Sequence, residues 1–262
     1  MTDASAILDF GREYLPDVFT HEFAACHREI AAAIEGGGGQ GNHGFVFGGA
    51  RSHGFTSLLA FLVPLYIICE RPATVAVVLA STVTEAREME ARVRHELAQN
   101  QPLRRRYPYA PTLRSVAFRG FHGSALRGLR HGAVRPHLVL CDRIAGDLTM
   151  LAPDTRARRV RDDWAMLTRV VLPLLGPKGY FVYGGPIHPG DDPLLERLMQ
   201  DQFSGVYRQR WYPAADGPVD IPGAQPLWPE RYDITALRER RGTMPVGEFA
   251  REWLGRVGEV YP

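Results

Sequence analysis

Apolar and polar positions follow two rhythms along this chain. Unbroken apolar runs recur at 44–48 (GFVFG), 74–80 (TVAVVLA), 137–141 (HLVLC) and 180–183 (YFVY), with a shorter one at 116–118. Runs without alternation are what strands covered on both faces show, so these predict buried, parallel strands. Between them the period lengthens. Apolar residues spaced as on one helical face predict helices over 16–35, 57–69, 84–99 and 154–175, the last ended or kinked by Pro173. A helix from 191 to 199 and a final helical pair between 233 and 257 follow the last strand, separated by an aromatic and proline-rich stretch at 207–228. The proline- and arginine-rich segment 101–111 reads as a loop. Strands alternating with helices predict an α/β fold with a doubly wound, mostly parallel sheet, whose ligands sit at the carboxyl ends of the strands.

Composition narrows this picture little. The 262 residues are 45% hydrophobic and 23% charged, and 31 basic residues stand against 29 acidic ones. So even a balance gives no bulk attraction for nucleic acid, and any basic patch must be local. Cys26, Cys69 and Cys141 are scattered without metal-ligand spacing, and they read as buried thiols in a reducing compartment. The N-terminus lacks a secretory pattern and the longest apolar stretch, 58–69, is too short to span a bilayer, so the expectation is a cytoplasmic protein with no membrane partner. One count matters for chemistry. Lys178 is the sole lysine, and every other basic residue is arginine.

Three segments carry candidate chemistry. The turn after the first strand, Gly48-Gly49-Ala50-Arg51-Ser52-His53-Gly54-Phe55-Thr56-Ser57, occupies the place of a phosphate-binding loop. Such a loop cradles phosphates with backbone amides, neutralises them with a lysine and holds Mg²⁺ with the next hydroxyl. Here Phe55 stands where the lysine belongs, while Thr56 keeps the hydroxyl. The third long apolar strand ends in Asp142, positioned to hold Mg²⁺, but Arg143 follows where a second acid would orient the attacking water. Arginines interleaved with glycines at 119–135, among them Arg119, Arg127, Arg130 and Arg135, suit phosphate contacts from nucleotide or DNA, or form a solvated basic loop.

Taken in order, these segments resemble the ATPase domain of the large terminase subunit of tailed bacteriophages. The loop at 49–57 is similar to that family's P-R-G-x-G-K-[ST]-[ST], with Arg51 on its arginine, Gly54 on its second glycine and Phe55 on its lysine. The stretch 124–142, SALRGLRHGAVRPHLVLCD, resembles the block that ends in the Mg²⁺-binding aspartate. Residues 180–188, YFVYGGPIH, resemble the strand and coupling motif G-T-x-x-H, with Gly184 and His188 matching and Gly185 in place of a hydroxyl residue.

The resemblance implies an N-terminal helical lead-in and glycine-rich connector at 1–43, a phosphate-loop ATPase core at 44–205 and a C-terminal linker or helical subdomain at 206–262. It also implies ATP and Mg²⁺ as ligands. Gly49, Arg51, Ser52, His53, Gly54, Thr56 and Ser57 would contact nucleotide, Asp142 would meet the metal, and His188 would serve coupling. No counterpart of the family's nuclease domain, and no nuclease activity, is expected. Duplex DNA, a portal, a capsid and other terminase-like subunits are the implied partners of an oligomeric motor. The losses at Phe55, Arg143 and Gly185 point to a pseudo-ATPase in DNA packaging, because lysine and acid supply most of the charge stabilisation and positioning in phosphoryl transfer. Two alternatives stand beside it: an active split motor working with a separate nuclease, and a non-catalytic DNA-binding or scaffold module.

Overall fold

A computed structural model describes residues 5–37, 43–108, 115–121, 135–146, 148, 151–188 and 191–255. Its centre is a six-stranded sheet in the order β3-β2-β4-β5-β1-β6. The strands are β1 (Gly44–Gly49), β2 (Ala76–Ala80), β3 (Val116–Gly120), β4 (Leu138–Asp142), β5 (Tyr180–Pro186) and β6 (Tyr207–Tyr212). Every pairing is parallel. Apolar runs are needed because both faces are covered. Phe45, Phe47, Val78, Leu140 and Val182 point into one buried cluster, while Val46, Val77, Val139, Cys141, Phe181 and Tyr183 point into the other. The first layer holds α1 (Ala6–Tyr14), α2 (Ala25–Gly36) and a continuous helical run made of α3 (Phe55–Ser57), a wider π turn (Leu58–Leu62) and α4 (Val63–Glu70). α5 (Val83–Gln99) lies on the same side through Ala86 and Val93. The opposite layer is built by α7 (Pro153–Met166), its π continuation (Leu167–Val171) and α8 (Pro193–Leu198).

Several elements differ from the sequence expectation, each for a visible reason. The helix expected over 16–35 begins only at Ala25. Phe23 is buried from the preceding segment without being helical, and the Ala24 N–H donates to His27 Nδ1 at the helix start. A loop residue that dives into the core mimics a helical period. Within 101–111 a short α6 (Gln101–Arg106) forms, because Asn100 caps the Leu103 N–H and Pro102 falls in the first turn, where a missing donor is harmless. The helix expected over 154–175 changes pitch at Leu167 and ends in a tight turn, Leu172–Leu174, around Pro173.

On the C-terminal side of the boundary expected at 206, β6 completes the sheet beside β1. Its residues YRQRWY hide this, as only Tyr207 and Tyr212 are buried. Tyr207 enters one core cluster and Tyr212 the other, so each face of this edge strand is covered at one end only. Glu29 of α2 fastens it by accepting from Arg208, from Arg210 Nε at 3.0 Å and from the Tyr212 hydroxyl at 2.8 Å. Beyond it, α9 (Ile234–Gly242), α10 (Val246–Phe249) and a last helical turn (Ala250–Leu254) enclose a third cluster of Ala50, Ala214, Leu237, Phe249 and Trp253. This cluster sits against the loop that leaves β1. Among the described residues, no helix is long and apolar enough to cross a membrane.

Candidate functional site

The parallel register brings the carboxyl ends of β1, β2, β4 and β5 to one edge, with Gly49 opposite Pro186, Ala80 opposite Asp142 and Asp142 opposite Gly184. Two adjoining clefts of about 400 and 340 Å³ open there and share Arg51, Thr56, Asp142, Arg143, Pro186, Asp191 and Glu252. Sequence separation is large, so only the fold brings these groups together.

The loop from Ala50 to Gly54 is held from several sides. Its Ala50 N–H donates to the Tyr212 carbonyl at 3.0 Å and its Arg51 N–H to the Glu252 carbonyl at 3.2 Å. Ser52 and Gly54 both adopt the left-handed region, at φ of 64° and 76°, and at Gly54 this requires the residue without a Cβ. The Gly54 carbonyl then accepts from Leu58 N–H, opening the helical run. His53 borders the second cleft but is itself buried. It is 1% exposed, its Nδ1 lies 2.8 Å from the Arg51 carbonyl, and its ring packs against Tyr232 and Trp253. Burial pulls its pKa down to about 4. Behind it, His27 Nε2 lies 2.7 Å from the His53 carbonyl, so loop and α2 are joined.

Phe55 occupies the lysine position with an apolar contact set. Its ring lies 5.3 Å from Phe47, 5.9 Å from Tyr212 in a stacked arrangement and 5.7 Å from His27. It also covers Gly49 so closely that a Cβ there would come within 2.3 Å of the ring. The next residue, Thr56, is exposed and donates from Oγ1 to Asp142 Oδ1 at 3.1 Å. Asp142 is buried, and burial raises its pKa to about 6 against the opposing pull of Arg143 and of the Thr56 hydrogen bond.

Around this pair, Arg143 stands in the left-handed region at φ 49°, its N–H donating to the Gly184 carbonyl at 2.8 Å. Arg51 is held by Glu252, Nε to Oε2 at 3.3 Å. Gly185 is a position of close approach, where a Cβ would meet Asp192 Oδ2 and Leu195 at 2.9 Å. His188 lies 3.7 Å from Asp191, which lines both clefts. Ser57, at the start of the helical run, lines the second cleft. Arg119 and Arg135 are elsewhere: Arg119 bonds the Phe118 carbonyl on edge strand β3, and Arg135 reaches the Pro173 carbonyl at 3.4 Å at the opposite end of β4. Arg127 and Arg130 lie outside the described residues.

Sequence reasoning missed Glu252, Arg251, Arg231 and Asp192, all of which line a cleft. Only Asp192 left a signal. Asp before Pro193 is a helix-start pair, and Asp192 caps Leu194 N–H and Leu195 N–H while accepting from the Tyr183 hydroxyl at 2.8 Å.

No protein-family model and no curated protein sequence matches this chain. Solved structures do. The large terminase of bacteriophage HK97 superposes over 97% of this chain with a TM-score of 0.58 at 14% identity. The fold is that of a large-terminase ATPase domain. The ATPase domain of the large terminase of Thermus phage P74-26 superposes over 93% of this chain and 97% of its own, with a TM-score of 0.53 and 14% identity. The chain spans 55% of the HK97 protein, so the superposition accounts for about half of that larger molecule.

Proposed function

We propose that this chain is a terminase-type motor domain that binds Mg²⁺-nucleotide in the cleft but hydrolyses ATP poorly or not at all, a pseudo-ATPase of a DNA-packaging complex. The observation that carries the reading is the split fate of the site. The Thr56–Asp142 pair is intact at 3.1 Å, whereas Phe55 is packed among Phe47, Tyr212 and His27 and Arg143 follows Asp142.

A hydroxyl beside a buried carboxylate is an oxygen donor set that suits Mg²⁺, a hard cation. Thr56 and Asp142 are the residues that would hold it, Asp142 directly or through water. The ion would neutralise phosphate charge and orient the phosphates. What the chain's own residues supply is then binding and shape. The loop backbone and Thr56 meet the phosphates, the Phe55 ring closes the floor beneath Gly49, and Glu252 anchors the loop through Arg51. Arg143 stands directly after Asp142 in place of an acid, and no lysine lines either cleft among the described residues. Positioning and charge stabilisation make up nearly all of phosphoryl-transfer catalysis, so their loss lowers turnover far more than binding.

Portal, capsid, duplex DNA and sister subunits are the partners this reading supplies, with the fold retained for its shape and surfaces. Phosphate release from MgATP tests it. The wild-type chain and Asp142→Ala should release phosphate at the same background rate. A wild-type rate that Asp142→Ala abolishes would make the chain an active split motor.

A further inference from the structure

We infer that Arg143 is the phosphate-binding cation of this cleft, taking the charge role that Phe55 has vacated. The inference rests on the nucleotide reading above and names the side chain that meets the phosphates.

Among the described residues, four arginines line the two clefts: Arg51, Arg143, Arg231 and Arg251. Three are engaged. Arg51 is ion-paired with Glu252 at 3.3 Å, Arg251 lies between Glu252 at 3.7 Å and Asp191 at 3.9 Å, and Arg231 lies over the rings of Trp228 and Tyr232. The guanidinium of Arg143 makes no hydrogen bond or ion pair with any described residue, and it is exposed at the mouth of both clefts. Its five N–H donors are therefore unspent, and their planar fork matches phosphate oxygens.

Backbone geometry fixes where that fork starts. Arg143 leaves β4 at φ 49°, a conformation unfavourable for a side-chain-bearing residue, and is held there by its N–H bond to the Gly184 carbonyl. That turn follows Asp142 directly, so the cation and the Mg²⁺ candidate are adjacent by connectivity.

The charge of the lining points the same way. Carboxylates of Glu85, Glu88, Asp142, Asp191 and Glu252 face this space. A polyphosphate entering it needs cationic partners, and of these four arginines Arg143 is the one whose side chain has no ion pair, hydrogen bond or ring contact to a described residue. An acid at position 143 would have made the lining more negative by two charges relative to arginine. The exchange that removes the water-orienting carboxylate thus supplies the binding charge, which favours holding nucleotide over cleaving it.

The test is calorimetric titration of the full chain with MgATP and, separately, with Mg-tripolyphosphate. Arg143→Ala and Arg143→Gly should each weaken both ligands by about tenfold or more, as expected for charge-assisted hydrogen bonds to phosphate. Arg143→Lys should recover part of the loss, because it restores the charge without the fork. Arg94→Ala, a surface arginine paired with Glu90 on α5, serves as the control and should leave affinity unchanged. Arg143→Gly relieves the positive φ and should melt no earlier than the wild type, so its loss of binding cannot come from unfolding. Affinities of Arg143→Ala and Arg143→Gly within about threefold of wild type would overturn the assignment and leave nucleotide binding standing. A loss seen only in Arg51→Ala would overturn it too. A wild-type chain that binds no MgATP would instead remove the nucleotide reading itself, and the assignment with it.

Discussion

Thr56 Oγ1 donates to Asp142 Oδ1 at 3.1 Å, joining the loop after β1 to the end of β4 across 86 residues of sequence. This contact places a hydroxyl and a carboxylate where one cation can meet both. It also gives a desolvated carboxylate one of its few partners, since Asp142 is 6% exposed.

Asp142 is maintained against stability. Its pKa rises from 3.8 to about 6, chiefly through burial, so the charged form present at neutral pH is disfavoured in the fold. Asp142→Asn should raise unfolding free energy by about 1–3 kcal/mol at pH 7, with the gain fading as pH falls toward 4 and the wild-type carboxyl takes up its proton. Urea denaturation at the two pH values measures this. The same variant should lose Mg²⁺-dependent nucleotide binding, and a variant less stable at pH 7 would contradict the argument.

Phe55 belongs to the core as much as to the loop. Because it touches Phe47, Tyr212 and His27, Phe55→Ala and Phe55→Lys should each cost about 1–3 kcal/mol in chemical denaturation. Phe55→Lys alone should restore no hydrolysis, because Arg143 still occupies the position of the water-orienting acid. Phosphate release from that single variant is the check.

Gly185 has no room for the hydroxyl that the terminase coupling motif carries. A Cβ there would lie 2.9 Å from both Asp192 Oδ2 and Leu195 Cδ2. Gly185→Thr should therefore lower stability by about 1–3 kcal/mol, the usual cost of overpacking, and thermal melting would show it. An unchanged melting temperature would mean that Asp192 moves aside freely.

His53 should make stability sensitive to acid. The unfolded imidazole titrates at about 6.5 and the folded one at about 4, so the unfolded chain binds more protons in between. The stabilisation is complete above the unfolded value and is lost as pH falls through the folded one. His27, also lowered to about 4, acts in the same sense, and Asp142, Asp163 and Asp192, each raised to about 6, act in the opposite one, so the wild-type curve alone mixes these effects. The stability of wild type relative to His53→Gln isolates the histidine. It should fall by about 2–3 kcal/mol between pH 7 and pH 4.

The sequence made the sheet and the two halves of the Thr56–Asp142 pair legible, because buried parallel strands are unbroken apolar runs and polar residues at their ends stand out. β6 was not legible, since an edge strand with Arg208, Gln209 and Arg210 on it has no such run. The inward packing of Phe55 was equally hidden, because its partners come from α2, β1 and β6. The grip of Glu252 on Arg51 joins residues that share no local pattern, and only the fold shows that Arg143 has no ion pair with a described residue. His53 reads from sequence as a variable loop position, while the third apolar cluster draws it inward.

The central claim is that the cleft binds Mg²⁺-nucleotide without working as a motor. Its most direct test is equilibrium titration of MgATP into the wild-type chain and into Asp142→Ala, with phosphate release followed in the same samples. The wild type should show saturable, Mg²⁺-dependent binding, Asp142→Ala should lose that binding, and both should release phosphate only at background. Sustained turnover by the wild type, or no binding at all, would contradict that claim.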